Sequence, residues 1–186
     1  IDNLRAAGIA TVIASGNNGY KNSISAPACI SSAISVGATD DYDNIASFSN
    51  VAPILDLLAP GVNIYAAVPN GAGTKNGTSM ATPHVAGAWG VVKQAVAGAE
   101  GGETLAAFKA GAVLVNDNRS GGTLTNLPRI NVNSAINAYV SGLRVNVTAA
   151  PSQLLPGDTT VLTIQATNDT GTAASQVTLS ALVPAV

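Results

Sequence analysis

The chain has 186 residues, 47% of them hydrophobic and 10% charged, with a net charge of -2. That is room for one medium domain, or one domain and part of another, with enough apolar material for a large core. With no basic surface, nucleic acid and anionic membranes are not expected partners, and the apolar runs stop well short of the roughly eighteen residues a membrane span needs.

Only 4% of residues are aromatic, so the core must be built from Ala, Val, Ile and Leu. Low charge with abundant Ser, Thr, Asn and Gly is a common look of exported bacterial proteins. The single cysteine, Cys29, allows no internal disulfide and is expected as a small buried hydrophobe. The chain opens on Ile1 rather than Met and ends within "LSALVPAV", which reads as the middle of a β domain. It is therefore read as a piece of a longer polypeptide.

Residues 1–8, "IDNLRAAG", end a helix closed by Gly8. "IATVIAS" is a β-branched run, expected as a strand covered on both faces. "AISVGAT" is a second buried strand, followed by the polar turn "DDYDN". "IASFSN" and "LDLLAPGVNIYAAV" add short strands, with Pro60-Gly61 as the turn between the last two. A helix opens at Ser79 and runs to about Val96. It shows no polar face, so burial on nearly all sides is expected, with Gly87 and Gly90 admitting close neighbours. Pro83 is expected in its first turn, where a missing N–H costs nothing.

A weaker helix near 103–110, the loop "NDNRSGG" and the short helix "NSAINAYV" follow. Strands mixed with helices in this way predict an α/β domain with a largely parallel sheet over residues 1–142. From Leu143 the pattern alternates: Leu143, Val145, Val147, then Leu162, Ile164, Ala166, then Val177, Leu179, Ala181. Three such strands over residues 143–186 predict a partial all-β sandwich module.

The chemistry centres on residues 77–87, "GTSMATPHVAG". Ser79 follows a Gly-Thr turn and opens a helix, where N–H groups and the helix dipole favour developing negative charge. Position alone favours a helix cap over a nucleophile. A nucleophile needs a base, and His84, the only histidine, lies about 140° around the helix axis from Ser79. Lys75 and Lys93 are weak substitutes, and Ala81 breaks the G-x-S-x-G pattern of the α/β-hydrolase elbow.

"NGTSMATPHVAG" resembles the nucleophile motif of the subtilisin-like serine proteases, or subtilases, over twelve consecutive residues. "VIASGNNG", "APACISSAISVGATDD" and "ASFSNVAPILDLLAPGVNI" resemble that family's flanking segments, in order. The resemblance spans about residues 1–142 and implies a subtilisin-like three-layer α/β domain whose N-terminal part is missing. It implies that Ser79 is the acyl-forming nucleophile and Asn17 an oxyanion donor. Ala14, Ser15 and Gly16 would form one wall of a substrate pocket. Subtilases order their triad Asp, His, Ser, so the aspartate and histidine would lie upstream of Ile1, leaving this piece almost inert alone.

His84 then matches a structural histidine of the family. The substrate would be a polypeptide, the location extracellular or at the bacterial cell surface, and the chemistry free of any cofactor. Many subtilases hold structural Ca2+, and Asp40 falls near one such site in some of them. "DDYDN" nevertheless lacks the glycine and glutamate of a calcium loop, so a solvated turn is expected and no metal site is assigned. Residues 143–186 resemble the Ig-like repeats that follow catalytic domains in bacterial surface proteins. The competing expectation is a subtilase-like scaffold without catalysis, used for binding or display.

Overall fold

The computed structural model describes residues 1–96, 98–140, 143–150 and 161–168. It divides into two units, Ile1–Tyr139 and Val140–Val186. In the first, α1 (Asp2–Ala6) ends with Gly8 at φ 74°, and two bonds close it: Gly8 N–H to the Arg5 carbonyl at 3.0 Å and Ile9 N–H to Leu4 at 2.9 Å. Only a residue free to take positive φ makes that stop without strain.

Three parallel strands follow, β1 (Val12–Ala14), β2 (Ile34–Thr39) and β3 (Leu57–Pro60), in register Val12 to Ile34 and Val36 to Leu57. The ribbon β4 (Ile64–Val68) and β5 (Gly71–Lys75) is antiparallel and largely exposed. Helix α2 (Thr78–Ala95) lies across β1, β2 and β3. After α3 (Gly101–Ala110) come β6 (Val113–Val115) and β7 (Leu127–Arg129), then α4 (Val132–Val140). β7 joins β3 in parallel and β6 joins β7 antiparallel, giving the sheet order β1-β2-β3-β7-β6.

β2 and β3 are buried on both faces, as their apolar runs predict. Leu58 points into a cluster with Ile45, Val51, Leu55, Val115 and Leu127. Leu57, its neighbour in the strand, is fully buried and faces the opposite side, which α2 covers. Trp89 of α2 meets Phe108 of α3 at a ring separation of 5.6 Å.

Several expectations fail, each for a physical reason. α2 is buried along one stripe only: Thr78, Ala81, Val85, Ala88, Trp89 and Val92. Its other face, with Ala86, Gly87, Gly90 and the 48% exposed Val91, is exposed. Nothing stands within 4 Å of a side chain built at Gly87 or Gly90. β1 is likewise half-buried, because it ends the sheet instead of lying inside it.

Pro83 is the sixth helical residue, not a first-turn one, so its missing N–H is the one that would have met the Ser79 carbonyl. "IASFSN" forms no strand beyond one bridge, Thr39 to Ile45; it is a run of turns. Cys29 is exposed, in the turn after Pro27. The loop "NDNRSGG" is correct, but the strands flanking it, β6 and β7, carry three residues each and were not foreseen.

In the second unit β8 (Leu143–Ala150) and β9 (Val161–Asn168) form an antiparallel pair in register Leu143 to Asn168. The third predicted strand, around Val177, lies outside the described residues. No described helix is long and apolar enough to cross a membrane.

Candidate active site

The site forms where three ends meet: β1 after Ala14, β3 at Pro60-Gly61, and the start of α2. Carboxyl ends of parallel strands are where such sheets open to ligands. Gly61 makes the meeting sterically feasible. Its N–H donates to the Thr39 carbonyl at 2.9 Å, and its carbonyl accepts from Gly77 N–H at 2.8 Å. A Cβ there would stand 2.6 Å from Ala38 Cβ and 2.8 Å from the Gly77 carbonyl.

Helix α2 has Gly77 as its N-cap and no capping side chain. Its first donors are used one at a time. Thr78 N–H donates to Asn17 Oδ1 at 2.9 Å, and Met80 N–H to the Gly77 carbonyl at 3.0 Å. The N–H of Ser79, between them, has no acceptor among the described residues. Ser79 itself is exposed and does not cap the helix, which removes the helix-cap reading.

Asn17 is exposed, but its amide is not free to turn over. Oδ1 takes both Thr78 N–H and Thr78 Oγ1–H at 2.9 Å, and the Thr78 hydroxyl also accepts from Gly16 N–H at 3.3 Å. A backbone N–H can only donate, so the oxygen must face Thr78 and Nδ2 must face away. Asn17 Nδ2 then lies 3.5 Å, and Ser79 N 3.7 Å, from the point where Gly77 would carry a Cβ. Two donor nitrogens thus border one small space beside the serine, with the positive end of an eighteen-residue helix behind them.

Gly77 keeps that space open, and its φ of 153° suits glycine alone. Gly77→Ala is expected to lower the melting temperature, because a residue with a Cβ is strained at that φ. Melting curves of the parent and the variant check it.

The residues preceding Asn17 have different surroundings. Ala14 is half-buried at the end of β1. Ser15 is fully buried, its hydroxyl donating to the Asn50 carbonyl at 2.8 Å. Gly16 has φ 108°, and a Cβ there would come within 2.4 Å of Asn50 Nδ2 and 2.5 Å of Ser25 Oγ. Its lack of a side chain therefore makes room for those two groups.

His84 is exposed, and its Nδ1 lies 2.8 Å from the Met80 carbonyl one turn back on the same helix. Lys93 sits about 20 Å down the helix axis from Ser79 at 1.5 Å per residue. It lines a cavity of about 580 Å3 with Arg5, Ser32, Asp56 and Gly101 that includes no residue of the site.

In the acidic turn, Asp40 Oδ1 accepts the N–H groups of Tyr42 (2.9 Å) and Asn44 (2.8 Å), and Oδ2 accepts Asn44 Nδ2 at 3.1 Å. Burial works to raise its pKa, but these bonds outweigh it and hold the carboxyl below its ordinary value. Asp43 is held by both Nε (2.7 Å) and Nη2 (2.5 Å) of Arg129. Among the described residues no three His, Cys, Asp or Glu side chains gather as a metal site would require.

A serine at a helix start thus stands beside a carboxamide whose orientation is fixed. The chain belongs to the subtilase family, whose model matches residues 1–138. It is 50% identical over 95 residues to subtilisin BL of Lederbergia lenta, covering 50% of this chain and 35% of that protein. To subtilisin DY of Bacillus licheniformis it is 49% identical over 92 residues, 34% of that protein. The chain thus spans about a third of the length of these relatives. Among solved structures, the patellamide maturation protease PatA aligns with a TM-score of 0.64 and 28% identity, over 74% of this chain and 54% of that one.

Three contributors were missed in the sequence. Thr78 and Gly77 stand beside Ser79 in "NGTSM", where they read only as a turn. Asn50, inside "ASFSN", gave no signal, because its partners lie 25 to 35 residues away.

Proposed function

We propose that this chain supplies the nucleophile and the oxyanion hole of a serine endopeptidase that acts outside the bacterial cell. A peptide carbonyl sits with its oxygen between Asn17 Nδ2 and Ser79 N–H, and Ser79 Oγ attacks its carbon. The oxygen becomes an anion, both donors strengthen their bonds to it, and collapse expels the amine to leave an acyl-serine. Water then releases the acid by the same route.

The Ser79 proton goes to a histidine, oriented by an aspartate, on a part of the polypeptide N-terminal to Ile1, and that histidine passes it to the departing amine. His84, bonded to its own helix, is not that base. Ala14, Ser15 and Gly16 act through their backbone as one wall of the cleft, since Ser15 turns its side chain inward. β8 and β9 open an Ig-like β-sandwich module.

The observation that carries this reading is the convergence of Asn17 Nδ2 and Ser79 N on the space that Gly77 leaves open. A serine-directed fluorophosphonate tests it. On the whole polypeptide, mass spectrometry should find the adduct on Ser79, with loss of peptide cleavage in proportion. A polypeptide that neither labels at Ser79 nor cleaves any peptide would make the chain a scaffold for binding or display.

A further inference from the structure

The donor Asn17 stands on a loop, Ser15–Tyr20, with no regular structure of its own. A donor on a loop is useful only if the loop is held to a fraction of an ångström. Thr78 fixes the Asn17 amide, and Gly19 N–H donates to the Phe48 carbonyl at 2.7 Å, but one side chain meets the loop at several points. Asn50 is fully buried, and its Oδ1 accepts Asn18 N–H at 2.9 Å and Tyr20 N–H at 3.0 Å. Its Nδ2, with two protons to give, lies within hydrogen-bond reach of the Ser15 carbonyl at 3.2 Å, Asn18 Oδ1 at 3.2 Å and Ser25 Oγ at 3.1 Å. Its backbone N–H donates to the Gly16 carbonyl at 3.0 Å, and its carbonyl accepts from Ser15 Oγ at 2.8 Å. Residues 15, 16, 18 and 20 are therefore all tied to Asn50, and Asn17 is the residue bracketed between them. Gly16 has no Cβ, and the Asn50 amide lies where one would be.

Asn50 is itself anchored from behind. Arg119 Nη1 donates to the carbonyls of Ala46 (3.3 Å), Ser47 (3.3 Å) and Ser49 (2.6 Å), fixing the turns that lead into it. Ser49 Oγ accepts the N–H of Ala38 in β2 at 2.9 Å, so the segment is pinned to the sheet as well.

We propose that Asn50 is the positioning residue of the oxyanion hole: it sets the loop that aims Asn17 Nδ2, without touching substrate. This rests on the reading of Asn17 as a transition-state donor. A side chain with only a packing role would need neither five polar contacts nor partners on both sides of one exposed residue.

The test is a double-mutant cycle in the whole polypeptide, with Asn17→Ala, Asn50→Ala and the pair, assayed on a chromogenic peptide amide. Folded protein is counted by its thermal transition. Asn50→Ala is expected to lower kcat per folded molecule about ten- to a hundredfold, with KM changed less than about twofold. In the Asn17→Ala background it should cost almost nothing further, because the donor it aims is gone. If Asn50→Ala does not fold, Asn50→Ser, which keeps a hydroxyl in the same space, carries the cycle.

If Asn17→Ala lowers kcat but the Asn50 variant only lowers the melting temperature, or its kcat loss adds in full, Asn50 is structural and the proposal is overturned. If Asn17→Ala leaves kcat unchanged, the donor reading of Asn17 fails, and the positioning role with it.

Discussion

Ser79→Ala in the whole polypeptide should lower turnover of a peptide substrate by more than about a thousandfold, the size of effect characteristic of subtilisins, while leaving the melting temperature nearly unchanged. The two halves of the expectation have separate causes. Ser79 is exposed and its side chain holds no hydrogen bond among the described residues, so its removal takes nothing from the fold. On the function proposed above, its Oγ is nevertheless the atom that forms the acyl bond, and the methyl of alanine cannot form it. The donors survive the substitution, since Ser79 N–H belongs to the backbone and Asn17 is fixed by Thr78. Substrate binding, read as KM or as inhibition by a non-cleaved peptide, should therefore change little. A large loss of stability with a proportional loss of activity would mean that Ser79 serves the helix and not the chemistry.

Asp117→Ala should produce the largest loss of stability, about 3 kcal/mol or more. The Asp117 side chain is fully buried, and it meets Arg119 through Nε and Nη2, each at 2.7 Å. Removing it leaves a guanidinium that is 88% covered without its counter-charge, a state costlier than replacing both partners together. Burial works to raise the Asp117 pKa, but the hydrogen bonds and charge of Arg119, with the charge of Lys21, more than offset that and hold it below the usual range. A depressed carboxyl contributes its stability in full above the unfolded value, near 3.9, and loses it as pH falls from there through the folded value. Melting curves between about pH 5 and pH 2 should therefore show a steep acid limb in the parent that is shallower in Asp117→Ala. An unchanged limb would remove Asp117 as a source of acid sensitivity.

What the sequence made legible follows from the range of each interaction. β2, β3 and α2 were readable because long apolar runs and a helix opening after a Gly-Thr turn are local patterns, complete within a few residues. Ser79 and Asn17 were singled out because the motif around each is contiguous. The exposed flank of α2 was not, since the composition of a helix shows what it can bury and not what lies against it. Gly87 and Gly90 illustrate this: both read as close-approach sites, and both face open space among the described residues. β6 and β7, at three residues each, are too short to show a period at all. The ties that shape the site are all long-range: Asn17 to Thr78 across 61 positions, Asn50 to Ser15 across 35, Arg119 to Ser49 across 70. Each pairs ordinary polar residues, and none leaves a mark on its own neighbourhood.

The helix α2 serves as both pillar and instrument. Ala81, Val85 and Val92 on its inner stripe are wholly buried, while its first turn presents Ser79. A rigid helix cannot shift at one end alone: repacking at Val85 that slides it by about a third of its 1.5 Å rise moves Ser79 Oγ by as much. On the proposed function, core substitutions that most proteins would absorb silently would be scored here by catalysis. Selection on turnover would police the interior of this domain, leaving the ribbon β4–β5 and the outer loops as the ground on which the lineage is free to vary.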